Sequence, residues 1–509
     1  MTVTEKMSRD RVYGFLRAEN GKIVNGRGEE ILLAGMGIGN WLLPEGYMWR
    51  FGGRYNSPRR IEELVRDLCG STFAAAFWER FRADYITEDD IAAMADAGFN
   101  SVRVAVGWRC MMEDEPGISF REDGFALLDR FIDLCEKYRL YVILDLHGAP
   151  GGQTGSNIDD CIDDIPRLFV DTESDSREKT LALWREFARR YRDRWIVGMY
   201  DLLNEPCRCP IDGYPVLDHD ALRVSLKAFY RDCVAAVREI DDRHMLSIES
   251  DVWASRADFF DEVYDANMCI HFHRYWCPPR KFMYDGFLQK REALGLPLYL
   301  GETGENAQDW FAAMYPLAAE LGIGYNIWPW KKMDTDSSPC SIRKPALWDK
   351  ILSYTNGGGR PSYADAQAAF TEYLDNIRFA NCDWRAEVVA SIFRRPGCVF
   401  RACDTANKND LVTWIDTDGN PTDNWEKTVT HFAAGGEAEY CLYSDDTEGV
   451  VRLTAIGEGT AALFFDGDLL GTYDVGGEIC ADIPGRDGRL TVRCLDGAFS
   501  LEHIVFDKK

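Results

Sequence analysis

The sequence predicts an α/β chain, a (β/α)8 TIM barrel followed by a C-terminal β-sandwich domain. Eight short apolar runs alternate with longer amphipathic stretches across residues 30–328. Polar and acidic residues recur where those runs end, the face on which a barrel places its chemistry. From about Pro396 the pattern turns to alternation with period two, broken by Asp-Gly pairs, as in hairpins.

The runs are 30–37, 99–106, 140–147, 197–203, 244–249, 267–273, 297–302 and 323–328. Helical patterns fall between them at 123–138, 178–194, 220–240, 281–294 and 306–321. Thr87 caps a further helix, with Glu88, Asp89 and Asp90 suited to its N-terminal dipole. A doubly wound open sheet is the rival, but it gives no reason for polar residues to recur around a ring. Residues 345–354 supply the last barrel helix, Asn356-Gly357-Gly358-Gly359-Arg360-Pro361 breaks the chain, and a helical stretch follows at 363–373. The expected division is a barrel domain at 1–375, then a linker segment and sandwich at 376–509. Within the sandwich, 463–470 and 492–499 both read as hairpins.

A hydrophobic content of 46% and a charged content of 28% are those of an ordinary globular protein with a large core. The net charge of −26 opposes nucleic acid and anionic membrane as partners. No signal-like apolar stretch opens the sequence and no run reaches about 18 apolar residues, so the expected location is cytoplasmic. The sixteen cysteines are scattered singly and read as buried free thiols. Cys207 and Cys209, even with His271 and His273, are too weak a signal for zinc. Neither metal nor cofactor is expected.

Two carboxylates carry the chemistry. Glu205 follows the run ending at Leu203, and Glu302 follows Leu298-Tyr299-Leu300-Gly301. A pair at the ends of two buried strands is what a retaining glycosidase requires, one group protonating the leaving oxygen and the other attacking the anomeric carbon. Arg103 lies inside an apolar run, where an unpaired cation would be costly. Glu302 is its natural partner, although a purely structural salt bridge fits the same pattern. His147 ends its strand ahead of Gly148, Gly151 and Gly152 and is placed to meet sugar hydroxyls. His273 and Tyr275 share one strand face by period two, Tyr275 toward the nucleophile, while His271 sits deeper and reads as structural. Trp328 ends the last run and serves either as a platform for a sugar face or as packing.

Taken together, Arg103, His147, Asn204-Glu205-Pro206, His273, Tyr275, Glu302 and Trp328 resemble glycoside hydrolase family 5, in the family's order, over residues 30–332. The resemblance implies that Glu205 is the acid/base, Glu302 the nucleophile, and Asn204 a ligand of the substrate 2-hydroxyl. Leu146-His147-Gly148-Ala149-Pro150-Gly151 and Gly37-Ile38-Gly39-Asn40-Trp41-Leu42 resemble the exo-acting β-1,3-glucanase and β-glucosidase branch, whose members usually close one end of the cleft. Thr303 departs from the aromatic residue common after the nucleophile, and residues 153–157 depart from that branch's loop. Glu305, ahead of Asn306, suits a helix N-terminus. The C-terminal domain resembles the lectin-like sandwich of carbohydrate-binding modules or accessory domains, but it lacks an obvious row of aromatics.

The expected activity is an exo-acting β-glucosidase on short oligosaccharides or glycosides. An endo-β-glucanase on soluble glucan, or a non-catalytic carbohydrate-binding protein, stands as the alternative. The partner is a small-molecule carbohydrate, and the sequence specifies no oligomeric state.

Overall fold

In the computed structural model, which describes residues 2–444 and 446–509, eight parallel strands close into a barrel. They are β1 (Ala34–Leu42), β2 (Ser101–Gly107), β3 (Tyr141–Gly148), β4 (Val197–Asp201), β5 (Met245–Glu249), β6 (Met268–Arg274), β7 (Leu298–Gly304) and β8 (Gly324–Trp328). All are buried along their length except for the last residue of β6. That explains why they read as continuous apolar runs rather than alternating ones. β8 pairs with β1 to complete the ring, with Ile327 opposite Met36.

β1 begins four residues later than its apolar run. Ile31, Leu32 and Leu33 are buried ahead of the strand. Asn100 fixes the offset: its side-chain oxygen accepts from the Ala34 amide at 2.8 Å, and its side-chain nitrogen donates to the Leu32 and Met7 carbonyls. The expected helices form at Glu122–Tyr138, Ser176–Tyr191, His219–Arg238, Asp285–Leu294 and Gln308–Glu320. Thr87 caps Glu88–Ala97 in a reciprocal box with Asp90.

Two helices that the sequence reading passed over, Pro58–Cys69 and Ser71–Asp84, lie between β1 and that capped helix. They pack on Tyr363–Asn376 through an aromatic cluster around Trp49, Phe77 and Tyr373.

The C-terminal region forms two antiparallel sheets. Cys398–Arg401, His503–Lys508, Gly449–Thr454 and Glu478–Ile483 make the four-stranded one. The other is built around Gly488–Leu501. Asp466-Gly467 turns a hairpin as expected, between Ile456–Phe465 and Asp468–Asp474. Residues 492–499 do not. They run through the single strand Gly488–Leu501, and Leu495 is skipped where the register shifts between Thr460 and Ala461. Gly497, with a positive φ of 68°, pairs with Gly459 just beyond this bulge and makes no turn.

The sandwich packs on the helix that follows β7. Gln308–Glu320 buries nine of its thirteen residues, because barrel strands cover one side and Cys398–Arg401 the other. Arg394 Nε donates to the Ala312 carbonyl at 2.7 Å, and an Arg280 nitrogen donates to the Cys403 carbonyl at 3.0 Å. Each of the sixteen cysteines is a free thiol. No described helix is long and apolar enough to cross a membrane.

Candidate active site

Glu205 lies beyond the end of β4 on a left-handed backbone, φ 43°. Non-glycine residues adopt that region at a cost, so its neighbours must hold it. The Glu205 amide donates to Glu249 at 2.7 Å, and its carbonyl accepts from Thr154 Oγ1 at 2.8 Å. Gln153 bridges the same turn to β3, its amide nitrogen donating to the Asn204 and His147 carbonyls. The 153–157 segment, noted in sequence only as a departure, therefore clamps the Asn204-Glu205 turn.

Glu302 sits within β7 and is held by two donors. Arg103 donates to one carboxylate oxygen at 2.7 Å and Tyr275 to the other at 2.8 Å. Arg103 is fully buried and reaches further than a single pair, also meeting Asp201 at 2.8 Å, Glu249 at 3.0 Å and Asp145 at 3.2 Å. A second nitrogen contact runs to Asn204 Oδ1 at 2.7 Å. That bond turns the Asn204 amide so that its nitrogen donates toward His147 Nε2 at 3.3 Å. Burial and the Glu302 charge push the Tyr275 hydroxyl well above its usual pKa, so it remains a donor.

The histidines divide by charge. Burial lowers His147 to about 4, making it a neutral ring oriented by Asp145 at 2.7 Å. Burial also disfavours charge on His273, but the carboxylates of Glu249 and Glu302 raise it well above the usual value. The His273 imidazolium donates to Glu205 through Nδ1 at 2.7 Å and approaches His271 Nε2 at 3.1 Å. His271 in turn contacts Ser247 at 2.7 Å, deep in the barrel. Glu249 stays ionised despite complete burial, because His273, His271 and Arg103 surround it. Burial raises the Glu205 carboxyl above its usual value, and the Glu302 and Glu249 charges add to this against the opposing pull of His273.

Ligand atoms of Glu205, His273 and Glu302 all lie within 4.8 Å of one another, and so do those of Glu249, His271 and His273. Neither group includes Cys207 or Cys209.

Trp328 forms part of the wall at the end of β8, 3% exposed, its ring parallel to His147 at 5.1 Å. Gly37 and Gly39 make room for it; a Cβ on Gly39 would fall 2.4 Å from the indole. Its Nε1 donates to the Tyr47 hydroxyl at 2.8 Å.

Three carboxylates escaped the sequence reading in whole or part, two of them lining the cavity. Glu45 is buried, and its Oε1 has no hydrogen-bond partner among the described residues. Burial and the charges of Glu302 and Glu305 raise its carboxyl well above the usual range. Glu305, expected at a helix N-terminus, instead pairs with Lys332 at 2.6 Å, and the following helix starts only at Gln308. Glu249 ends β5, while Glu205 lies just past β4 and Glu302 just inside the end of β7, so the reasoning that found those two applied to it as well. The cavity above these residues measures about 830 Å³ and is lined by Glu45, Tyr47, Glu205, His273, Glu302 and Trp328, among others.

A family model described as Cellulase (glycosyl hydrolase family 5) matches residues 68–334. A beta-xylosidase of Phanerodontia chrysosporium is 30% identical over 250 residues, 49% of this chain and 49% of that protein. Endoglucanase C of Acetivibrio thermocellus is 28% identical over 193 residues, 38% of this chain and 50% of that protein. Glucan 1,3-beta-glucosidase D of Emericella nidulans is 34% identical over 150 residues, 28% of this chain and 18% of that protein. The chain spans about half the length of the first two.

Proposed function

The chain belongs to glycosyl hydrolase family 5, and from that premise we propose that it is a retaining, exo-acting β-glycosidase with β-glucosides as its leading substrates. The observation that carries retention is the approach of Glu205 and Glu302 carboxylate oxygens to within 4.8 Å. Double displacement needs about 5–5.5 Å between the carboxyl groups, whereas inversion needs about 6.5–9.5 Å to admit water.

In this reading Glu302, held by Arg103 and Tyr275, attacks the anomeric carbon while Glu205 gives its proton to the departing oxygen. The C–O bond to the leaving group breaks as the Glu302 ester forms. Glu205, now ionised beside the His273 imidazolium, then takes a proton from water, and that water displaces Glu302. Asn204 faces the sugar 2-hydroxyl. Glu45, a neutral acid at the wall, both donates to and accepts from a hydroxyl farther along the glycone.

Exo action is supported by the stitching of the loops after β1 and β8. Trp328 bonds Tyr47, Arg50 bonds the Asp334 carbonyl at 3.3 Å, and Trp348 Nε1 donates to the Trp49 carbonyl at 3.0 Å. Such ties leave little room for a polymer to continue past the sugar on Trp328. A panel of p-nitrophenyl glycosides, run beside cello- and laminari-oligosaccharides, tests the reading. Single glucose units should leave pNP-β-glucoside and oligomer ends. Inert monosaccharide glycosides with internal cleavage of oligomers would establish an endo-glucanase instead.

A further inference from the structure

The two halves of the cavity differ in chemistry. Around the proposed glycone position the wall presents Glu45, Tyr47 and Glu305, all able to meet hydroxyls. On the leaving-group side, beyond Glu205, the loops after β3, β4, β5 and β6 present Ile158, Ile211, Val252, Trp253, Trp276 and Met283. The polar side chains among them are largely engaged. The Arg274 guanidinium donates to the carbonyls of Ser255, His273 and Met283, and Ser255 Oγ donates to the Val252 carbonyl. Ser156, Asn157 and the Trp253 indole N–H, which has no partner among the described residues, are left, too few for a leaving sugar with its several hydroxyls.

The apolar side is also held in place against backbone preference. Val252, Trp253 and Ala254 are three consecutive left-handed residues, with φ of 55°, 54° and 55°, and Trp276 has φ 48°. A β-branched or aromatic residue in this region is strained. The strain is tolerated because the Ala254 amide bonds the Ser250 carbonyl at 3.2 Å and the Arg256 amide bonds Ser250 Oγ at 2.9 Å. The outcome is that Val252 and Trp253 line the cavity, while Trp276 stands 74% exposed at its rim beside Tyr275.

We infer that the leaving-group site takes a large apolar aglycone, so that the substrates are β-glycosides of long-chain or ring-bearing alcohols rather than oligosaccharides. The inference rests on the glycosidase reading above and names the aglycone that this reading leaves open. Trp276 supplies an exposed face, and Ile158, Ile211 and Val252 supply the wall that a saccharide would leave unpaired with its own hydroxyls.

The test is a series of methyl, butyl, octyl and 2-phenylethyl β-glucosides, below the concentration at which the octyl compound forms micelles. All four release alkoxides of similar basicity, so differences in kcat/KM report aglycone binding in the transition state. A buried methylene contributes about fourfold; with half of the added methylenes covered, octyl over methyl should rise on the order of 100-fold. The 2-phenylethyl compound separates a ring-shaped site from a chain-shaped one. In Trp276→Ala the octyl-to-methyl ratio should fall at least tenfold. Competitive inhibition by alkyl β-thioglucosides, with Ki falling as the chain lengthens, reads the same site in the unaltered protein.

A flat chain-length series in both turnover and inhibition overturns the inference, as does faster cleavage of cellobiose or laminaribiose than of the octyl glucoside. A 2,4-dinitrophenyl glycoside panel, varied in the sugar, separates the two levels of failure. Turnover there with a flat alkyl series, repeated on the preferred sugar, removes only the aglycone inference. No turnover of any activated glycoside removes the glycosidase reading and this inference with it.

Discussion

Glu205 carries an acid on a strained backbone, and Glu249 bears on both features, accepting the Glu205 amide and charging His273 beside the carboxyl. Removing the Glu205 carboxyl should affect substrates according to their need for a proton. In Glu205→Ala, glycosides of basic alcohols should lose on the order of 10²–10⁴ in kcat/KM, the usual contribution of a positioned acid. Dinitrophenyl glycosides should still form the intermediate, and azide should release it as a β-glycosyl azide; an α-azide would contradict retention. The sign of the pH effect follows from the raised Glu205 pKa. The active form is the protonated one, so kcat/KM holds below that pKa and falls as pH rises through it. The alkaline limb should vanish in Glu205→Ala with a dinitrophenyl substrate.

Glu249→Gln keeps the shape but removes the larger of the two carboxylate charges that favour protonated His273. The alkaline limb should then shift and acid-dependent substrates should lose more than activated ones. Equal losses for both would mark Glu249 as merely structural.

Among the elements, β1 shows how a strand's small residues serve a site on another strand. Gly39 leaves the space that Trp328 fills, and an alanine Cβ there would lie 2.4 Å from the indole and 2.7 Å from Met48 Cε. Gly39→Ala should destabilise the barrel by about 1–3 kcal/mol, the usual penalty for overpacking, and weaken glycone binding by tilting Trp328. Denaturant unfolding together with the KM for pNP-β-glucoside would check this; unchanged values of both would mean the indole is free to move.

The eight strands were legible because barrel strands are buried on both faces and so read as apolar runs. β1 was misplaced because the residues just ahead of it are equally apolar and buried beneath the barrel. The 492–499 segment was misread because its Asp-Gly pair lies within a strand, just beyond a bulge, and makes no turn. Arg103 and His273 could be read from strand position, and Tyr275, one residue beyond β6, from the continuation of its period. Glu45 lies in a loop, where no strand period marks which way a side chain faces.

For the whole molecule, the contact between barrel and sandwich runs through the helix that follows β7. Gln308–Glu320 has almost no solvent face; in sequence it is apolar nearly all round, the mark of a helix covered on both sides. The exposed large apolar side chains of the sandwich's described residues are Val399, Leu411, Ile456, Leu469 and Leu495, with no aromatic among them. Both facts favour a sandwich that acts as part of the catalytic body. A chain ending at residue 395 should therefore aggregate or unfold at lower denaturant than the full chain, read by sedimentation and circular dichroism. A monomeric, fully active truncation would show the sandwich to be a detachable module.

Arg103 faces four carboxylates, and in the proposed mechanism only Glu302 takes part in bond making. When Glu302 becomes an ester its negative charge disappears, and a guanidinium that depended on it alone would need water or a shifted side chain in compensation. Asp145, Asp201 and Glu249 remain, so the cation keeps its place through the whole cycle. They act as ballast: the guanidinium stays anchored at one point when the ester forms and when it is hydrolysed, so neither half-reaction has to wait for Arg103 to move.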